Sequence, residues 1–245
     1  MCFSTEIDSN IKTLSKRFKA QADKTAYDHF NKLMKIQKGK DGPEKIKEIF
    51  NQKRKSKQFV NIPGKDNRVF PNYFAPVIIS VNGQRLIRPM RYRIRPKNSL
   101  EEIPSKYNVF NARLDSLEKR KTWNTIFGIT HGIFPFKSFF EWVEDNGKKR
   151  LIKFTPNNHK LMWAPCLYDT WSSVDGQISI ESFAIITNEP PKEVHEAGHD
   201  RCPIFLKEEN IESWLAPANT SKDKLYEILG EKCQTYFNNE WATMS

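Results

Sequence analysis

The chain has 245 residues and carries 40 Lys plus Arg against 29 Asp plus Glu, a formal charge of +11. An apolar fraction of 38%, including 17 Phe, is enough to build a core and excludes a globally disordered chain. No apolar run approaches the ~20 residues of a bilayer span, and the opening MCFSTEIDSN lacks the basic and apolar regions of a secretory signal. An intracellular protein of the cytoplasm, nucleoid or nucleus is therefore expected, not a secreted or membrane protein.

Residues 11–70 hold 17 Lys/Arg and 6 Asp/Glu, so the whole excess charge lies in this segment. Ile11, Leu14 and Phe18, then Tyr27, Phe30, Leu33 and Met34, recur at helical spacing. A break at Lys40–Pro43 precedes a second short helix expected from Glu44 to about Lys55, with Ile46, Ile49 and Phe50 on one face. The basic run Arg54–Lys57 and the arginines Arg88, Arg91, Arg93 and Arg95 around Tyr92 favour nucleic acid as the partner. Arginines at alternate positions share one face of an extended strand, which suits a phosphate backbone.

From about Val69 the pattern changes to short β-type runs. Val77–Val81 and Gln84–Ile87 flank an Asn82-Gly83 turn, and Phe139–Val143 and Leu151–Phe154 flank Asp145-Asn146-Gly147, two hairpin signals. Asn111–Arg120, Glu208–Leu215 and Ser221–Phe237 read as helices, and Leu161–Leu167, Ile178–Thr187 and Pro203–Leu206 as strands. Strands with interspersed helices and no βαβ alternation predict an α+β fold with a mainly antiparallel, barrel-like sheet. The expected organisation is one domain over 1–245, with a basic helical insertion over 11–68 and a helical tail over 216–245.

Cys2, Cys166, Cys202 and Cys233 show no CxxC or CxxxH spacing, so neither a metal site nor a redox dithiol is implied, and no cofactor is expected. Cys2 differs from the rest by its position. Removal of Met1 would leave an α-amine (reference pKa ~7.7–8.0) and a thiol (~8.5) on adjacent carbons. Such a 1,2-aminothiol condenses with an aldehyde to an imine, which the thiol closes into a thiazolidine. Phe110-Asn111-Ala112-Arg113 would open a helix able to hold an anion or orient a nucleophile. Glu141, inside the aromatic run Phe139–Trp142, is either solvated or, in an apolar cleft, a general acid with a raised pKa. His199, beside Asp200 and Arg201, is either structural or an acid/base group.

Taken in order, the segments MC, YFAPVIIS, FNARLDSL, FPFKSFFEW, LMWAPCLYDTW, FAIITNEPP and GHDRCPIFL resemble the SOS response-associated peptidase family, which processes abasic sites in single-stranded DNA. The resemblance covers Met1–Ser4 and Phe70 to about Leu215. It implies that Cys2 attacks the C1′ aldehyde of an abasic sugar and forms a thiazolidine crosslink, with self-removal of Met1. It further implies that Asn111 positions Cys2, that Arg113 holds a phosphate, that Glu141 is the acid/base and the agent of crosslink reversal, and that His199 steers the Schiff-base step. Pro76, Arg88, Arg91, Arg93, Trp142, Thr187 and Arg201 are expected DNA contacts, and a monomer is expected. The sequence departs from the family where Phe3 and Ser4 follow Cys2 in place of Gly-Arg. A Trp-Gly pair is also replaced around Arg91-Tyr92, and the basic segments are expected to supply the missing contacts. A non-catalytic nucleic-acid-binding module and an N-terminal-nucleophile hydrolase are the alternatives.

Overall fold

Asn82-Gly83 and Asn146-Gly147 each turn the chain through two consecutive positive φ angles, 50° and 78° in the first and 51° and 74° in the second. Asn and Gly adopt this left-handed geometry at low cost, and it matches the twist of the strands it joins. The structure, a computed structural model, describes residues 3–50 and 59–243. In chain order the elements are β1 (Ser4–Glu6), α1 (Ile11–Phe18), β2 (Gln21–Ala22), α2 (Lys24–Lys38), α3 (Gly42–Ile49), β3 (Arg68–Val69), β4 (Phe74–Val81) and β5 (Gln84–Tyr92). There follow β6 (Asn111–Arg113), α4 (Lys121–Asn124), β7 (His131–Phe136), β8 (Ser138–Asp145), β9 (Lys148–Pro156), β10 (Met162–Ser172) and β11 (Ser179–Asn188). The last are α5 (Lys192–Glu196), β12 (Cys202–Pro203), α6 (Ile211–Leu215), α7 (Lys222–Gly230) and β13 (Phe237–Ala242).

Strands β11, β10, β7, β4 and β5 pair antiparallel in that order. The circuit closes where β5 runs parallel to β11, with Arg91 opposite Ser182 and Tyr92 opposite Phe183. A second antiparallel sheet, β13-β9-β8-β1-β3, carries the N-terminal strand in its interior. The fold is thus α+β with a mainly antiparallel, barrel-like core, as the patterning predicts. The inward residues (Val77, Ile79, Phe134, Ala164, Cys166, Phe183, Ile185) are almost all aliphatic or aromatic, and their burial is the main stabilising term.

Helices α1 to α3 pack beside the barrel as a collar. Asn10 caps α1 by accepting from the Lys12 and Thr13 amides (3.0 and 3.3 Å), while Leu14 and Phe18 enter the main core. Leu33 of α2 and Ile46 of α3 form a satellite core with Phe59, Phe74, Trp171 and Ile180. Strand β2 pairs with β5 between the helices, so the segment is stitched into the barrel wall. The helix expected to reach Lys55 ends at Ile49 within the described residues, and Arg54–Lys57 lie outside them.

Two expectations are corrected. Asn111–Arg113 is a strand, not a helix start, because parallel pairing with β11 (Asn111 opposite Ile185) captures it. The C-terminal tail is helical only to Gly230. Phe237–Ala242 instead pairs antiparallel with β9, so a sheet edge overrides the local helical pattern.

Candidate active site

β8 places Phe139, Glu141 and Val143 on one face, in the two-residue alternation of a strand. The turn after α5 lies against that face. Gly198 takes φ 93°, a conformation that strains any side chain, and the reversal brings His199 over β8 with its amide on the Val194 carbonyl (3.2 Å). His199 Nε2 is 3.1 Å from Glu141 Oε2, and Glu141 is 1% exposed.

The protonation pattern depends on the other ring nitrogen. His199 Nδ1 lies 2.8 Å from the Arg201 carbonyl oxygen and 3.3 Å from the Arg201 amide nitrogen. With a proton on Nδ1 the ring donates to that carbonyl, and without one it accepts the Arg201 amide. In the first tautomer a single proton is shared between Nε2 and Oε2. It belongs either to a neutral Glu141 or to an imidazolium facing a carboxylate. Burial pushes Glu141 above the ordinary carboxylate range, and the His199 hydrogen bond opposes this without cancelling it. Such a pair can share or pass a proton.

The N-terminal strand leads to this pair. Ser4 lies opposite Phe140, and the Phe3 amide donates to the Phe140 carbonyl (3.0 Å), one residue before Glu141. Cys2 itself lies outside the described residues, but it is one peptide bond from Phe3, about 3.8 Å between Cα atoms. Arg68 locks the strand by donating to Ser4 Oγ (2.9 Å) and the Thr243 carbonyl (3.0 Å), with its guanidinium 4.0 Å from the Phe140 ring centre.

β6 and β12 flank the C-terminal end of β11 on opposite edges, which puts Arg113, Thr187 and Pro203 in one row. Asn111, two residues from Arg113, accepts the Tyr92 hydroxyl on Oδ1 (2.9 Å), and this fixes which end of its amide faces outward. Arg113 is exposed and makes a bidentate pair with Asp115 (2.6 and 3.1 Å); Arg201 lies 3.9 Å from the same carboxylate. Trp142 is 38% exposed on the opposite face of β8 from Glu141. Cys202 on β12 is buried, and burial pushes its thiol up to about 12, so it stays protonated at neutral pH.

Several expected DNA contacts are corrected. Arg91 is 1% exposed and forms a bidentate pair with Glu102 (2.8 and 3.2 Å), which Arg95 joins at 3.1 Å. Arg93 donates to the Ile103 and Pro104 carbonyls, and Arg88 bridges Asp23 and Glu181 (2.7 and 2.6 Å). The row turns inward because these acids, unlike phosphates, are held in place by the fold. Pro76 and Thr187 are also buried, within β4 and β11. Helix α2 of the collar lines a pocket with Ser179–Glu181, six residues or about 20 Å along β11 from Thr187. Tyr92, Arg68 and Phe3 were missed as site residues. Only the position of Phe3 beside Cys2 offered a signal, since the other two act through long-range contacts. Among the described residues no group of three or more His, Cys, Asp and Glu could hold a metal ion, and no helix is long and apolar enough to cross a membrane.

The fold and site define a class: barrel proteins whose first described strand pairs with a strand that carries the glutamate of a buried Glu–His pair. The chain belongs to the SOS response associated peptidase (SRAP) family, whose profile matches residues 1–243. It is 30% identical over 164 residues to the abasic site processing protein YobE of Bacillus subtilis, covering 66% of this chain and 73% of that one. It is 24% identical over 174 residues to the abasic site processing protein HMCES of Xenopus tropicalis, covering 59% and 52%. A crystal structure of a protein from Bacteroides thetaiotaomicron has the same fold, with TM-score 0.69, 18% identity, and coverage of 99% of this chain and 92% of that one.

Proposed function

We propose that the protein processes abasic sites in single-stranded DNA by forming a covalent thiazolidine between Cys2 and the ring-opened sugar. The observation that carries this reading is the Glu141–His199 pair, one residue from the point where the Phe3 amide is anchored. Kinship with abasic site processing proteins supports the substrate.

Removal of Met1, which we assign to the protein itself with the Glu141–His199 pair as its agent, exposes the Cys2 amine. In the closed abasic sugar the pair takes the O1 proton and returns one to O4′, opening the ring to the aldehyde. The Cys2 amine adds to C1′, and the carbinolamine loses water when Glu141 protonates the departing hydroxyl. The Cys2 sulfur then bonds to the imine carbon, and the thiol proton passes to nitrogen. One aldehyde and one aminothiol give one thiazolidine and one water. The reverse path, with Glu141 again supplying the proton, releases the crosslink. Asn111, held by Tyr92, orients the Cys2 groups, and Arg113 and Arg201 exchange Asp115 for a DNA phosphate. The exposed Arg113–Asp115 pair is worth little in water, so the exchange costs little.

A single-stranded oligonucleotide with one abasic site tests this. A band that survives denaturing electrophoresis is expected. It should vanish for Cys2→Ala and for a protein whose α-amine is blocked by an uncleavable tag, while reversible binding persists. Lesion-independent binding without a covalent band, with Met1 retained, would instead mark a non-catalytic module.

A further inference from the structure

The lysines of the collar differ from the arginines of the row. Arg88, Arg91 and Arg95 each face an acid. Lys32, Lys35 and Lys38 of α2, Lys45 of α3 and Lys97 of loop 96–109 are exposed, and among the described residues none of them forms an ion pair. Three-residue spacing puts Lys32, Lys35 and Lys38 on one side of α2. Lys32 also lines a groove of about 1120 Å³, which Lys45 and Lys97 enter from two other segments. Ile36 and Ile49 line it too, as do Leu100, 81% exposed, and Val174, fully exposed. Its loops are fixed by bonds of their own: the Trp171 indole donates to the Ser99 carbonyl (2.9 Å), and the Lys97 amide donates to Asp169 (2.8 Å). Two acids line the groove. Asp175 is engaged by the Ser173 hydroxyl and the Gln177 amide, which leaves Glu48 against three lysines.

Exposed aliphatic side chains beside ammonium groups suit a ligand that carries both anionic and apolar surface. A single strand of DNA is such a ligand, with one phosphate per nucleotide and base faces open to contact. A duplex hides those faces and would leave Leu100 and Val174 in water. Pockets for drug-sized molecules run to roughly 1,000 Å³ at most, so a larger open groove suits a segment of polymer. We propose that this groove binds single-stranded DNA, with Lys32, Lys45 and Lys97 on its phosphates and Leu100 and Val174 against its bases. The inference deepens the proposed function and rests on it for the choice of DNA among polyanions. Ile178, in the groove, precedes Thr187 by nine residues, about 30 Å of extended chain. The groove is therefore a second contact, remote from the row that holds Arg113. A strand long enough to reach both gains affinity from the linkage.

The probe is undamaged oligothymidylate of about 30 nucleotides, well beyond the ~9 that cover 30 Å at the stacked spacing of ~3.4 Å. Its binding to the full chain is followed by fluorescence anisotropy over a range of salt concentrations. The triple variant Lys32→Gln, Lys45→Gln, Lys97→Gln should bind more weakly, and its salt slope should fall by about 2, at ~0.7 per phosphate contact. Leu100→Ser with Val174→Ser should weaken binding about fourfold or more, the value of one buried methylene, and leave the slope unchanged. Melting temperatures equal to that of the wild type confirm the fold of both variants. Wild-type affinity and slope in the triple variant overturn the assignment, as does an equal loss on duplex DNA of the same length. Polyglutamate that competes as well as the oligonucleotide at equal charge would make the partner an acidic polypeptide and overturn it too. Crosslinking is scored apart, on an abasic strand of about six nucleotides, too short at ~3.4 Å each to span both contacts. No covalent band with the lysine dependence intact sinks the crosslinking chemistry and leaves the groove; a band without lysine dependence does the reverse.

Discussion

Glu102 and Glu141 are both carboxylates drawn into the protein, yet their partners send them in opposite directions. Burial alone would raise both. At Glu102 the guanidiniums of Arg91 and Arg95 outweigh burial and hold the carboxyl below its usual range. At Glu141 burial outweighs the imidazole, and the carboxyl rises. Arginine keeps its charge at any accessible pH, so the Glu102 cluster fixes geometry by tying loop 96–109 to β5 and to the Phe50 carbonyl. Histidine can give up its proton, so the Glu141 pair can do chemistry. The lesson is that a charged residue's role depends on whether its partner can let go.

That contrast can be broken at either end. The largest effect is expected at the fixed cluster. Glu102→Gln strands two buried guanidiniums and should cost about 3–5 kcal/mol in urea unfolding; an unchanged midpoint would show that the arginines are not held by this carboxylate. Glu141→Gln should behave oppositely. Crosslinking should slow by about 10²–10⁴-fold, the usual share of a general acid, while stability holds or rises because the raised carboxyl no longer resists ionisation. A melting temperature that falls with the rate would assign Glu141 to the scaffold.

A buried histidine away from the site sharpens the point. His131 accepts the Gly128 amide (2.8 Å), bonds the Trp214 carbonyl (3.0 Å) and stacks on Trp214, and burial pushes it down to about 4. Its unfolded form binds a proton more readily. Its contribution is therefore complete above about pH 6.5 and is lost as pH falls toward 4, by about 3 kcal/mol. His131→Phe should flatten that part of the stability–pH curve, and an unaltered slope would place the titration elsewhere. The smallest effect is expected at Arg113→Ala. Stability should stay within about 0.5 kcal/mol, while the salt slope of DNA binding falls by about one. An unchanged slope would remove Arg113 from the phosphate contacts.

Legibility followed sequence distance. The Asn-Gly hairpins, the capped amphipathic helix α1 and the strand bearing Glu141 were readable because their determinants lie within a few residues of one another. The arginine row at 88–95 was misread because the acids that turn it inward, Glu102, Asp23 and Glu181, lie outside the row itself, from 7 to 93 residues away. Asn111 was read as a helix start because its pairing partner is Ile185, 74 residues away. The motifs carrying Glu141 and His199 were visible as resemblance, but the 3.1 Å contact between them, 58 residues apart, is a product of the fold.

The most direct measurement is intact-mass spectrometry of the protein after incubation with single-stranded DNA bearing one abasic site. The account predicts a species equal to the chain without Met1 plus the oligonucleotide less one water, absent for Cys2→Ala and slow to form for Glu141→Gln. Correctly matured protein that keeps its own mass after long exposure would contradict it.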